Sequence, residues 1–165
     1  MPVARESYGP GPITKVELDR FIFESNRLAG VYMAGKEEAD AARAFLMHEL
    51  PTVSVLEPYV RLAGDNGVLR EFSHQIPIDA SRFDIVEGNP MMRHLAAQVL
   101  DRAVGNAASP FLVHCEFMRL SPFSSGNGQA GRLIWLWQML RFGNHFNGSF
   151  SEQFYQQVVG DAQEV

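Results

Sequence analysis

Residues 121–132 read Ser121-Pro122-Phe123-Ser124-Ser125-Gly126-Asn127-Gly128-Gln129-Ala130-Gly131-Arg132. A polar, glycine-rich loop, 121–128, here separates two of the most apolar segments of the chain, 110–120 and 132–141. Two glycines flank Asn127 at the mouth of a helix, so backbone N–H groups can approach an anion closely there. The helix N-terminus adds roughly half a positive charge, which favours phosphate. Arg132, in the first turn or so of that helix, offers a charged hydrogen-bond donor. Gly-Asn-Gly also serves as an ordinary turn between helices, and the loop by itself leaves both readings open.

Outward from this loop the chain reads as helical. Downstream, Leu133, Leu136, Trp137 and Leu140 share one helical face, Gly143 is placed as a C-cap, and a last helix is predicted over 151–159. Upstream, Ser109-Pro110 and Asn89-Pro90 are helix starts with proline at the first helical position. They open an apolar helix through about Leu120 and a helix carrying Met91, Leu95, Val99 and Leu100 that ends near Gly105. Thr14 and Glu17 form a capping box ahead of Leu18, Phe21, Ile22 and Leu28, predicting a helix over 14–28 ended by Gly30. A second helix is expected over 36–49, burying Ala42, Phe45 and Leu46 and stopped by Pro51. Ser54 and Glu57 suggest another capping box, with Pro58 restricting any helix there to a short or irregular one.

Between these helices the pattern changes. Asp65-Asn66-Gly67 is a turn signal, and Val68, Phe72, Ile76 and Ile78 suit strands of a short β-hairpin. The expectation is a mainly α fold with this one hairpin: residues 1–13 form an extended arm and 14–165 one domain.

Composition narrows the function. The chain has 165 residues, enough for one domain with a core, of which 46% are hydrophobic and 20% charged. A formal charge of −5 disfavours nucleic acid as a main partner. The N-terminus lacks the basic start and apolar run of a signal peptide, and no segment has the length of a membrane span. A cytoplasmic protein is the expectation. The single cysteine, Cys115, excludes an internal disulfide, and its apolar setting reads as a small buried thiol.

The segment resembles the signature of the Fic/Doc family, His-Pro-Phe-x-Asp/Glu-Gly-Asn-Gly-Arg-x-x-Arg. Pro122, Phe123, Gly126, Asn127, Gly128 and Arg132 stand in register. His114, Phe117 and Leu120 hold places of the residues that often precede it, and Gly67-Val68-Leu69-Arg70 looks like the start of the family's flap hairpin. The resemblance covers about residues 14–141. It implies a helical domain that transfers AMP from ATP to a protein hydroxyl. A loop and arginines bind the phosphates, here Ser125, Gly126, Asn127, Gly128, Gln129 and Arg132. A flap, here Leu69, Arg70, Glu71, Phe72, Ser73, His74 and Gln75, lies over the site.

Three chemically essential positions depart from that pattern. Ser121 replaces the catalytic histidine, and a serine hydroxyl cannot act as a general base near neutral pH. Ser125 replaces the acidic magnesium ligand, and Gln129 replaces an arginine. The usual AMP transfer is therefore not expected, and neither is a metal site. A further segment, Ser25-Asn26-Arg27-Leu28-Ala29-Gly30, resembles the family's inhibitory Ser/Thr-x-x-x-Glu-Gly with Ala29 in place of glutamate; it reads equally as a plain helix end.

Three functions follow as alternatives. The first is a degenerate, non-catalytic protein that binds a nucleotide or other phosphate compound weakly and pairs a protein segment with the flap edge. The second is a transferase of AMP or another phosphate-linked group with altered chemistry, for which His74 is the one histidine to test as base. His114 reads as a satisfied core histidine, and His48, His94 and His145 as surface or helix-end residues. The third is an assembly protein using Phe142, Phe146, Phe150 and Phe154, although these aromatics suit packing beneath the last helix better.

Overall fold

A computed structural model describes residues 13–33, 35–77, 85–142, 146 and 149–164, with side chains to 159. Ile78, the run 81–84, Gly143, His145 and the arm 1–12 lie outside the described residues. Among the described residues there are seven helices: α1 Lys15–Leu28, α2 Lys36–Met47, α3 Val53–Ala63, α4 Met92–Val104, α5 Pro110–Leu120, α6 Asn127–Arg141 and α7 Phe150–Glu164. The mainly α expectation holds. None is long and apolar enough to cross a membrane.

The organising element is α6. Fourteen of its fifteen residues are buried, and its apolar positions are not confined to one stripe. A helix apolar on all sides belongs in the centre of a domain, and α6 contacts each of α1 to α5. Leu133, Ile134, Trp135 and Leu136 are sealed from solvent, joined by Phe21 and Ile22 of α1, Phe45 of α2, Leu56 and Tyr59 of α3, and Phe117 of α5. The last helix closes one side: Phe150 packs edge-on against Trp135 at 4.9 Å between ring centroids and against Phe21 at 6.2 Å. Phe146 and Phe150 are buried, and Phe142 and Phe154 pack against the core, so the aromatic run forms part of the fold.

Most helix starts follow local chemistry. The Thr14–Glu17 capping box is closed in both directions, and Ser109 caps α5 by accepting from the Leu112 N–H at 3.2 Å. Glu24 of α1 caps α7 from a distance in sequence, its carboxylate accepting from the Phe150 and Ser151 N–H groups at 2.9 and 3.1 Å. Several boundaries differ from expectation: the second helix ends at Met47 rather than 49, and the last runs Phe150–Glu164 rather than 151–159. Thr52, not Ser54, caps α3, and that helix runs eleven residues through Pro58 because Val53, Leu56, Tyr59 and Val60 bury a continuous face. Met91, not Asn89, is the N-cap of α4, with the Asn89 side chain accepting the Met91 N–H. α6 starts at Asn127, so Arg132 stands in its second turn rather than its first.

The expected hairpin is absent among the described residues, where Leu69 opposite Phe123 is an isolated β-bridge. The segment 68–70 pairs with the loop 122–124 instead: Arg70 N–H donates to the Pro122 carbonyl at 2.8 Å, and Ser124 N–H to the Val68 carbonyl at 2.7 Å. Val68, Phe72 and Ile76 are exposed, so no apolar face holds a second strand against the first. Residues 72–75 form a turn, with Gln75 N–H donating to the Phe72 carbonyl and Phe72 N–H to the Gln75 side chain.

Candidate functional site

The loop 121–126 is held from three sides. At its start Ser121 takes the left-handed conformation, φ 42°, as the C-cap of α5, and its hydroxyl donates back to the Met118 carbonyl at 2.5 Å. In the middle Asn127 reaches back: its Nδ2 donates to the Phe123 carbonyl at 2.8 Å, and its Oδ1 accepts the Phe123 N–H at 2.9 Å. Asn127 has no solvent exposure, and this two-way bond satisfies both polar backbone groups of a buried residue. At its end Gly126, φ 81°, turns the chain into α6.

The third side is the C-terminus of α3. The last carbonyls of a helix lack partners within it, and here the loop supplies them. Gln129 Nε2 donates to the Ala63 carbonyl at 3.1 Å, and Ser125 Oγ to that of Gly64. The backbones approach so closely that a Cβ on Gly64 would lie 2.7 Å from the Gly126 Cα. Neutral donors at 125 and 129 thus join α3 to α6.

Arg132 lies across the cleft from this junction. Its Nε donates to Ser25 Oγ at 2.7 Å and its Nη2 to the Ser25 carbonyl at 2.8 Å, which fixes the guanidinium plane. Phe150 covers it at 6.0 Å. A cleft of about 390 Å³ opens here, walled by Leu28, Ala29 and Val31 from the end of α1, Ala63, Gly64 and Asp65 from the end of α3, Met118, and the loop with Gly126, Gly128 and Arg132. The segment 25–30 therefore borders Arg132 through Ser25, and Ala29 presents a methyl group to the cleft.

Buried polar groups surround this arginine. His114 stands beside Phe154, 4.8 Å between centroids, and its Nε2 has no hydrogen-bond partner; it is not the satisfied core histidine the sequence suggests. Burial, and secondarily the charge of Arg132, lower its pKa to about 4. The Tyr59 hydroxyl is likewise buried without a partner; burial first, then Glu38, raises its pKa, with Arg132 acting in the opposite sense. Asn26 Nδ2 donates to Glu38 at 2.7 Å nearby, while its Oδ1 is unpartnered. Glu38 and Tyr59 belong to no motif of the sequence; a glutamate on the apolar face of α2 is the signal that marks such a cluster.

Of the expected flap, Leu69 and Arg70 are buried and Glu71, Phe72, Ser73 and His74 exposed. Arg70 is a structural centre: it donates to the carbonyls of Ser121 at 2.6 Å, Leu120 at 2.9 Å, Val86 at 2.6 Å and Gln75 at 3.1 Å. It caps α5 and ties 75 and 86 to it, a role the charge of arginine suits at a helix C-terminus. His74 stacks on Phe72 at 5.8 Å. Cys115 is exposed, against the buried thiol expected, because it falls on the outer side of α5 while Val113 and Phe117 face inward.

At 125 a neutral hydroxyl stands where the resemblance would place magnesium's carboxylate, and it donates to a carbonyl; among the described residues no group of three or more His, Cys, Asp or Glu could hold a metal. No protein-family model, no curated protein and no solved structure matches the chain.

Proposed function

We propose that this is a non-catalytic binding protein of the Fic/Doc kind, in which the loop that would carry AMP transfer serves as a structural joint and the cleft beside Arg132 as a ligand site. One observation carries the reading. The side chains at the three altered positions, Ser121, Ser125 and Gln129, all donate to helix-terminal carbonyls, those of Met118, Gly64 and Ala63. None of the three is a general base at neutral pH, and none is the carboxylate that magnesium prefers. Arg132 lines the cleft and donates to the hydroxyl and the carbonyl of Ser25. Support for the resemblance itself comes from the meeting of three segments distant in sequence: 25–30, 67–70 and 121–132.

The resemblance makes a nucleotide or other phosphate compound the ligand class to test first. A protein partner at 69–75 would meet the exposed side chains of Glu71, Phe72 and His74 rather than add a strand at Arg70, whose N–H and carbonyl are already bonded to Pro122 and Asn89. The test is an assay for AMP transfer from ATP to the chain and to added protein, beside ligand binding with an Arg132→Ala control. Binding without transfer is the expected result; transfer abolished by His74→Ala would replace this reading with an altered transferase.

A further inference from the structure

The lining of the cleft restricts the charge of what it can hold. Among the described residues that form it, the charged side chains are Arg132 and Asp65, whose formal charges cancel. Its remaining walls are largely hydrocarbon, from Leu28, Val31, Ala63 and Met118. Taking several negative charges out of water against such walls costs far more than one arginine returns. A metal ion that would neutralise a polyphosphate finds a single carboxylate in this lining, Asp65, and a neutral hydroxyl at 125.

Arg132 is nevertheless well prepared for one anionic group. Its bonds to Ser25 fix its plane, so little side-chain freedom is lost on binding. Its terminal nitrogens lie at Gly128 in the first turn of α6, where a Cβ would stand 3.2 Å from both. An anion reaching them therefore also meets the positive end of that helix. At about 390 Å³ the cleft is at the small end of ligand pockets, which span roughly 300–1,000 Å³.

We infer that the cleft takes a small amphipathic monoanion, a carboxylate or a phosphodiester, with its charge on Arg132 and its apolar body against Leu28, Val31, Ala63 and Met118. This rests on the cleft being a binding site, as proposed above, and narrows what it binds. Asp65 at the rim selects against further negative charge.

Calorimetry on the full chain at low ionic strength tests it with four probes: hexanoate, dibutyl phosphate, the neutral hexanamide, and ATP with and without magnesium. At least one monoanion binds about tenfold or more tightly than hexanamide, the margin of one charged hydrogen-bonded contact. Which of the two binds tighter identifies the carboxylate or the phosphodiester. Arg132→Ala removes the margin. Because that change can weaken folding, Leu28→Glu at an exposed wall position is the second variant, and it abolishes monoanion binding with an unchanged melting temperature. Asp65→Asn tightens it. Equal binding of hexanoate and hexanamide, or ATP binding more tightly than either monoanion, overturns the inference and leaves the cleft as a site. Silence with every probe overturns the site as well.

Discussion

Asn127 and Phe123 form a closed pair in which one side-chain amide satisfies both polar backbone groups of a buried residue, at 2.8 and 2.9 Å. Asn127 thereby braces the loop from within. Asn127→Ala leaves the Phe123 N–H and carbonyl buried without these partners, and should destabilise the fold by about 2–4 kcal/mol. Urea unfolding measures it; a loss under about 1 kcal/mol would mean the loop keeps its shape by other contacts.

The second prediction concerns pH. The His114 pKa is lowered to about 4 in the fold from 6.5, chiefly by burial and then by Arg132. The unfolded chain thus binds the proton more readily. This contribution is fully present above about pH 6.5 and is lost as pH falls through about 4, up to roughly 3 kcal/mol in all. Against wild type, His114→Phe should flatten the stability profile between these values while keeping ring contacts with Phe150 and Phe154. An unchanged slope would place the titrating group elsewhere.

Arg70 and His74 separate the structural from the exposed part of the segment once expected to be a flap. Arg70→Met removes the donor to four carbonyls and should cost about 3–5 kcal/mol. His74→Ala, at an exposed turn, should stay within about 0.5 kcal/mol. Equal effects would contradict the assignment of Arg70 as the tie between α5 and the segments at 75 and 86.

Gly67→Ala tests the joint between α3 and the loop from the other side. Its Cβ would stand 2.5 Å from the Ser125 carbonyl oxygen and 3.0 Å from Val60. Backbone must move to admit it, so a loss of about 2 kcal/mol or more is expected in thermal or urea unfolding. A neutral result would show the joint to be loose.

Much of the helical layout is legible in the sequence because its signals are local. The Thr14–Glu17 box, Ser109-Pro110 and the spacing of Leu133, Leu136, Trp137 and Leu140 each act within a few residues. What depends on distant partners is not. Pro58 signals a break, yet the buried face of Val53, Leu56, Tyr59 and Val60 carries α3 through it. The turn signal at 65–67 followed by Val68, Phe72 and Ile76 suggests a hairpin, yet the pairing partner of 68–70 is the loop at 122–124, more than fifty residues away in sequence. At the site, the sequence identifies Arg132 and the three altered positions. It does not indicate that Ser125 and Gln129 bind carbonyls of α3, because nothing local announces that Ala63 and Gly64 arrive there.

The account turns on whether residues 121–132 act as a joint beside a metal-independent cleft, and the magnesium dependence of ATP binding, followed with AMP transfer in the same sample, tests this most directly. The account predicts that magnesium does not tighten ATP binding and that no AMP is transferred. Tightening by about tenfold or more, equivalent to about 1.4 kcal/mol, together with transferred AMP, would contradict it.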